Sequence, residues 1–279
     1  MITSRDNRWI KQFRASLQGT GPKSGEPIGI EGRKLIEEGL RSGLACEALL
    51  VSESAEDEAR SVLAAASESE SGISSRRVLR TTDKLFSSVS GTETPQGIAG
   101  LFRQPEWNLE DVLRGPGEMR QSASLVLVLA AIQNPGNVGT ILRSAEAFGA
   151  TGIIATRGTA DPWSPKALRA SAGSALSLPV LRGMAIPILI AQLKIAQVKL
   201  YATTSHENRR AKAIATADLR DSIAIFIGNE GSGLPSEILS AVDGILTVPL
   251  VGGTESLNAG IAASIFLYEA ARQRASERA

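Results

Sequence analysis

The sequence predicts an α/β protein: a mainly parallel sheet in the C-terminal half, preceded by a smaller α/β unit. From residue 122 onward, short apolar runs alternate with helix-period segments, the pattern of strands covered by helices on both faces. Three of those runs, 125–132, 223–227 and 245–250, open into Gly- and Asn-rich stretches. Ligands bind at such strand ends in open α/β sheets, so three of them in one domain predict one composite site. A Pro/Gly-punctuated segment, 105–121 with Pro116 between two glycines, divides the two halves.

Length and composition bound the function. A chain of 279 residues accommodates two domains, and 43% apolar content is enough for a core. No apolar run reaches the length of a bilayer span and the N-terminus lacks the core of a signal peptide, so a cytoplasmic protein with no membrane partner is expected. Cys46 is the only cysteine and His206 the only histidine, which excludes an intrachain disulfide framework and argues against a zinc site; no metal is expected. Cys46 reads as a small core residue and His206 as a loop residue. The net charge of +1 conceals an asymmetry: Arg5, Arg8, Lys11 and Arg14 face only Asp6 in residues 1–22, whereas 52–71 is acidic. The basic arm either binds phosphate or forms a solvated helix face.

Element by element, residues 7–17 place Ile10, Phe13 and Leu17 at helical spacing, and 20–27 form a Gly/Pro/Ser linker. The first α/β unit follows: helix 32–42 with Leu35, Ile36 and Leu40 inward, strand 48–51, helix 56–66, strand 77–79, a helix capped by Thr81, and strand 96–102. Residues 67–75 read as an exposed Ser/Glu-rich loop. In the second half, strand 125–132 leads to helix 138–148. Strand 152–155, helix 165–172, a short strand at 179–180 and helix 188–196 come next. Strands 199–203 and 223–227, helix 235–241, strand 244–248 and helix 256–273 complete the order. The last helix carries Ile261, Ile265 and Tyr268 on one stripe, and Ala259, Gly260, Ala262 and Ala263 keep it thin enough for close approach of another backbone.

Two familiar phosphate cradles are absent. The first strand–helix turn, Pro135-Gly136-Asn137-Val138-Gly139, lacks Rossmann spacing; Gly231-Ser232-Gly233 comes late and has no third glycine in register; no Gly-Lys-Ser/Thr occurs. A nucleotide-dependent oxidoreductase is therefore disfavoured.

Residues 137–148, 228–234 and 248–263 together resemble the three motifs of the SpoU (TrmH-like) RNA ribose 2′-O-methyltransferases, of the SPOUT class. The combination of Asn-x5-Arg, Gly-Asn-Glu-Gly-x-Gly and Ser-Leu-Asn, in that order, is specific, and the likeness extends over 123–274. Gly32, with 34–38, and Thr94-Pro95-Gln96-Gly97 resemble the small substrate-binding domain that many of these enzymes carry, although residues 28–31 are less apolar than the usual strand there. The resemblance implies a basic helical arm (1–22), an RNA-binding α/β domain (23–105), a linker (106–121) and a trefoil-knotted methyltransferase domain (122–279). It also implies S-adenosylmethionine as cofactor, a homodimer, and RNA as substrate, 23S ribosomal RNA being favoured over tRNA. A catalytically inactive RNA-binding member of the fold is the competing reading.

By the same resemblance, Thr203, Gly228, Asn229, Val248, Leu250 and Leu257 hold the cofactor, and Asn137, Arg143, Glu230, Ser256 and Asn258 form the reaction site. Arg143 would act on the 2′-hydroxyl. A guanidinium with a pKa above about 12 is a poor base, which favours electrostatic stabilisation of the developing alkoxide. Asn137 would fix the loop and orient Arg143. Glu230 would hold backbone amides or pair with an arginine, and either Ser256 or Asn258 would cap the last helix. Arg169 is expected to contact RNA phosphate or a second subunit, and Arg5, Arg8, Lys11 and Arg14 to bind RNA.

Overall fold

Ile10, Phe13 and Leu17 recur at helical spacing because they fill one core. In the computed structural model, which describes residues 1–67, 77–116, 123–204, 210–252 and 254–276, helix α1 (Arg8–Gln18) buries all three against Leu50, Phe86, Ala99 and Leu101. His206 and most of the expected 67–75 loop lie outside the described residues. Two compact units are present: Met1–Glu106 with Trp163–Ser177, and Trp107–Pro162 with Leu178–Ala279.

The first unit continues through β1 (Ile28–Glu31), α2 (Arg33–Arg41), β2 (Cys46–Ser52), α3 (Glu56–Ser67), β3 (Val78–Thr81), α4 (Asp83–Ser87) and β4 (Ile98–Phe102). Its sheet runs β1-β4-β2-β3, with β4 antiparallel to both neighbours and β3 parallel to β2. β1 is buried throughout despite its weak apolar signal. Gly29 is the reason: a Cβ there would lie 2.7 Å from Ser16 on α1, so the strand trades side chain for close helix packing. Thr81 does not cap the following helix. It ends β3, and its hydroxyl donates to the Ile2 carbonyl at 2.9 Å, so the cap falls to Thr82, whose Oγ1 accepts from the Leu85 amide at 3.3 Å. Cys46 is buried as expected, and burial pushes its thiol up to about 12.

The second unit opens with α5 (Leu109–Arg114), inside the segment read as linker. Its capping box is reciprocal: the Asn108 side chain accepts from the Asp111 amide at 3.1 Å, and Asp111 accepts from the Asn108 amide at 2.8 Å. The chain then runs β5 (Leu125–Ala130), α6 (Pro135–Ala147), β6 (Gly152–Thr156), α7 (Pro165–Ser171), α8 (Ser174–Ser177), β7 (Val180–Met184), α9 (Ile186–Ile195), β8 (Lys199–Thr203), β9 (Ala211–Ala213), β10 (Ile223–Gly228), α10 (Ser236–Ala241), β11 (Gly244–Thr247) and α11 (Ala259–Ala275). The seven strands pair in parallel in the order β7-β6-β5-β10-β8-β11-β9. The apolar runs of the central strands β5, β6 and β10 follow from burial on both faces. Val126, Val128, Phe226 and Leu200 pack with α9 and α10, while α6 and α11 pack together on the opposite face.

The exceptions to this chain order are α7 and α8. Residues Trp163–Ser177 leave the parallel sheet after β6 and fold into the first unit, so the division at 121/122 read from the sequence is interrupted there. Trp163 is buried and donates from Nε1 to the Ala175 carbonyl at 3.0 Å, and α7 packs beside the edge strand β1.

Candidate functional site

The order of the parallel sheet fixes where a ligand binds. β5 leads outward through β6 to β7, whereas β10 and β8 lie on its other side, so the direction of winding reverses between β5 and β10. Crevices form at the carboxyl ends of strands at such a switch. β10 pairs with β5 up to Gly228↔Ala130, which brings the loops after the two strands out side by side.

Each loop is fixed by its own residues. After β5 the chain bends at Ala131, a non-glycine residue with φ 58°. The Asn229 side chain donates to the Ala131 carbonyl at 2.9 Å, tying the two loops together. Asn229 also shapes its own loop: its Oδ1 accepts from the amides of Gly231 (2.9 Å) and Ser232 (3.1 Å), and its backbone pairs with Gly233. A Cβ on Gly228 would sit 2.6 Å from the Gly233 carbonyl carbon, and Gly233 has φ +67°, so the turn requires glycine at both positions. Glu230 is thereby held out at the tip.

α6 starts at Pro135, three residues earlier than expected. Asn134 is its cap, accepting from the Gly136 amide at 2.8 Å, with proline at the first helical position. Asn137 is therefore free of capping and lies in the first turn of the helix. Its Nδ2 donates to Glu230, and its Oδ1 accepts from Asn258 Nδ2 at 3.0 Å. Asn258, rather than Ser256, caps α11: its Oδ1 accepts from Gly260 (2.9 Å) and Ile261 (3.3 Å). Below this chain α6 and α11 lie close together. A Cβ on Gly260 would reach Thr140 Cγ2 at 3.0 Å, and Ser144 and Ser264 share a hydroxyl hydrogen bond of 2.7 Å.

One residue from each of the three motifs is thus joined in a single chain, Glu230–Asn137–Asn258. Arg143 is exposed on α6, and among the described residues it carries no ion pair. Ser256 is exposed, outside the helix. Thr203, at the end of β8, donates from its hydroxyl to the Phe226 carbonyl of β10 at 2.9 Å. Val248 and Leu257 are half-buried, and Leu250 is exposed. β10, β8 and β11 are adjacent, so the loops that follow β10 and β11 leave one region of the sheet, the latter carrying the apolar side chains of Val248, Leu250 and Leu257.

On the first unit, Lys11 pairs with Asp6 at 3.0 Å, Arg8 stacks over the Trp9 ring, and Arg14 donates to the Ser88 carbonyl at 3.3 Å. Arg5 and Arg169 are exposed. The sequence reading missed Ala131, Thr140, Ser144 and Ser264. Only the Asn-Pro step at 134–135 offered an earlier signal, for the helix start. Among the described residues no helix is long and apolar enough to cross a membrane, and no three His, Cys, Asp or Glu side chains gather as a metal site.

Comparison with known proteins agrees with this geometry. Residues 124–268 match the SpoU rRNA Methylase family, and residues 23–100 an MRM3-like substrate binding domain. The chain is 36% identical over 267 residues to the 23S rRNA (guanosine(2553)-2'-O)-methyltransferase RlmP of Bacillus subtilis (strain 168), covering 96% of this chain and 97% of that one. Among solved structures, the AdoMet-bound rRNA methyltransferase from Sinorhizobium meliloti superposes with a TM-score of 0.81 at 29% identity, covering 97% of each chain. The SpoU methyltransferase AviRb from Streptomyces viridochromogenes, in complex with AdoMet, also gives 0.81 at 26% identity, covering 97% of this chain and 99% of that one. The chain belongs to the SpoU rRNA methylase family.

Proposed function

We propose that this protein is an S-adenosylmethionine-dependent ribose 2′-O-methyltransferase acting on ribosomal RNA, with 23S RNA as the preferred substrate. The observation that carries the reading is the Glu230–Asn137–Asn258 chain at the switch between β5 and β10, which joins all three sequence motifs at one point.

Bound S-adenosylmethionine supplies an electrophilic methyl group, so the protein has only to hold the cofactor and manage the charge on the acceptor oxygen. Gly228, Asn229, Val248, Leu250 and Leu257 would hold the nucleoside, with Thr203 fixing the β8–β10 edge of the slot. Arg143 would stabilise the 2′-oxygen as its proton passes to solvent water and the oxygen takes the methyl group from the sulfonium; a donor aimed at that developing charge contributes about 3 to 4 kcal/mol. Asn137 holds the first turn of α6, and hence Arg143, in register with the Glu230 loop. Ser256 lies close in sequence to the cap residue Asn258 and lines the acceptor side.

The active form is a homodimer. α11 leaves Ile261 and Tyr268 more than half exposed, with the Phe148 ring edge-on to Tyr268 at 5.8 Å, and an apolar stripe on two packed helices fits a second copy of the same surface. The cytoplasm, where ribosomal RNA is accessible, is the expected location. The family's knotted path, with α11 passing through the preceding loops, accompanies this reading. Mapping of 2′-O-methyl groups on an unmodified 23S transcript incubated with protein and cofactor tests the function. A new methylated ribose is expected, and methylation confined to tRNA or absent altogether would overturn the assignment.

A further inference from the structure

We propose that Arg157, at the end of β6 in the second unit, binds a phosphodiester next to the target ribose and so positions the RNA strand for the reaction. The inference deepens the reading of this chain as an RNA ribose methyltransferase and rests on it.

The loop after β6 is built into the crevice at the switch between β5 and β10. The Ala160 amide donates to the Ile132 carbonyl at 2.8 Å, and the Thr159 hydroxyl donates to the Leu129 carbonyl at 2.8 Å. Gly158, at φ +87°, lies against Ala131, where a Cβ would be 3.5 Å from the alanine methyl. The Ala131 carbonyl in turn accepts from the Asn229 side chain. Hydrogen bonds thus join the loops after β6, β5 and β10 into one rim. Neighbouring strands lie about 4.8 Å apart, so Arg157 stands roughly one spacing from the β5 loop and two from the end of β10.

Position and charge together single out this residue. Among the described residues, Arg157 is the only Lys or Arg on the loops that run from the carboxyl ends of β5, β6, β7, β10 and β11 to the next helix. The same loops carry three acids. Asp161 pairs with Arg182 of β7, while Glu230 and Glu255 are exposed. A polyanion laid on a rim with two exposed carboxylates needs a cation there, and phosphate contacts of this kind fix the register of a bound strand.

The side chain is also held by a defined device. Ala155 pairs with Arg182 and Thr156 with Met184, which leaves Gly183, at φ +75°, as an extra residue bulged out of β7. Its carbonyl accepts from Arg157 Nε at 3.4 Å. Bulges of this kind re-aim side chains beside functional sites. With Nε engaged, the two Nη nitrogens have no partner among the described residues and match the paired oxygens of a phosphate.

The test is filter binding of a full-length 23S ribosomal RNA transcript, without cofactor, across a salt series, for the wild type, Arg157→Gln, Arg157→Lys and a control, Lys194→Gln, whose lysine is exposed on α9. Loss of one phosphate contact flattens the slope of log affinity against log salt by about 0.7 to 0.9, so between roughly 50 and 200 mM salt the wild type should lose about threefold more affinity than Arg157→Gln. Arg157→Lys keeps the charge and should keep the slope, even where it loses affinity with the planar fork. The control should match the wild type, and cofactor affinity by calorimetry should be the same in all four proteins. In methyl transfer to the same transcript, Arg157→Gln should raise KM rather than lower kcat, the pattern of a lost uniform contact. Equal slopes for the wild type and Arg157→Gln overturn the contact, as does a lysine variant that flattens as far as the glutamine one. Weakened cofactor binding in Arg157→Gln at an unchanged slope also overturns it and assigns the guanidinium to the carboxylate of the cofactor. Equal slopes with active methyl transfer by the wild type overturn the contact alone; separated slopes without any methyl transfer support the phosphate contact and fault the enzymatic assignment.

Discussion

The Asn258 side chain donates to Asn137 Oδ1 at 3.0 Å while its own Oδ1 caps α11. One amide thus performs two tasks, ending the third motif's loop and holding the first motif's helix, and a substitution can separate them. Asn258→Asp keeps a good cap, since Asn and Asp cap helices about equally well. It replaces the donor with a carboxylate facing an acceptor, in a chain that already ends on Glu230. Thermal stability should stay close to wild type while turnover falls at least about tenfold, the effect of losing roughly 1.4 kcal/mol of positioning. Asn258→Ala should lose both, with about 1 kcal/mol of stability gone along with the cap. Parallel melting curves and turnover rates check this; equal loss of stability in the two variants would leave the Asn137 contact without a role.

Gly228→Ala introduces a methyl group 2.6 Å from the Gly233 backbone, which is not a flexible side chain and cannot swing away. The expected cost is about 1 to 3 kcal/mol of overpacking, concentrated in the 228–234 loop. Cofactor affinity by calorimetry should drop with it. Undiminished affinity would move the cofactor away from the end of β10.

Ile261 and Tyr268 are exposed, so charging them should not disturb the folded protomer. Ile261→Glu/Tyr268→Glu is expected to convert a dimeric mass in light scattering to a monomeric one, with an unchanged circular dichroism spectrum. A wild-type protein that is monomeric and active at assay concentration contradicts the proposed assembly.

The carboxylate of Glu269 on α11 accepts from Arg272 at 2.7 and 2.8 Å and from Gln273 at 2.8 Å, which lowers its pKa from 4.5 to about 2. A group whose folded pKa lies below its unfolded value stabilises the protein above the unfolded value, and that stability fades as pH falls through the folded value. Between about pH 5 and pH 2, wild-type stability should therefore decline more steeply than that of Glu269→Gln in denaturant titrations. Superimposable pH profiles would assign the acid sensitivity to other carboxylates.

The sequence makes the three loops legible because glycine and asparagine at strand ends have few other uses, and their order is specific. What joins them is not legible. Asn137 is 93 residues from Glu230 and 121 from Asn258, and no local pattern records that parallel pairing of β5 with β10 brings the first two together. The same holds for Ser144 and Ser264, two ordinary helix serines until α6 and α11 meet. The placement of residues 163–177 was hidden for a different reason: Ala167, Leu168 and Ser171 mark a helix face that must be covered, but periodicity does not say by which unit. Residues 28–31 read weakly because Gly29 contributes close packing instead of apolar side chains.

The central claim is that Arg143 serves the acceptor oxygen while the ends of β10 and β11 hold the cofactor. The most direct test measures cofactor affinity and methyl transfer to a 23S transcript together in Arg143→Ala. Affinity should match wild type, and the rate should fall about 10²- to 10³-fold. Arg143→Lys should recover little, because a compact ammonium does not reproduce the planar fork of the guanidinium. Wild-type methylation by Arg143→Ala would contradict the account and place the stabilising charge on another residue of the site.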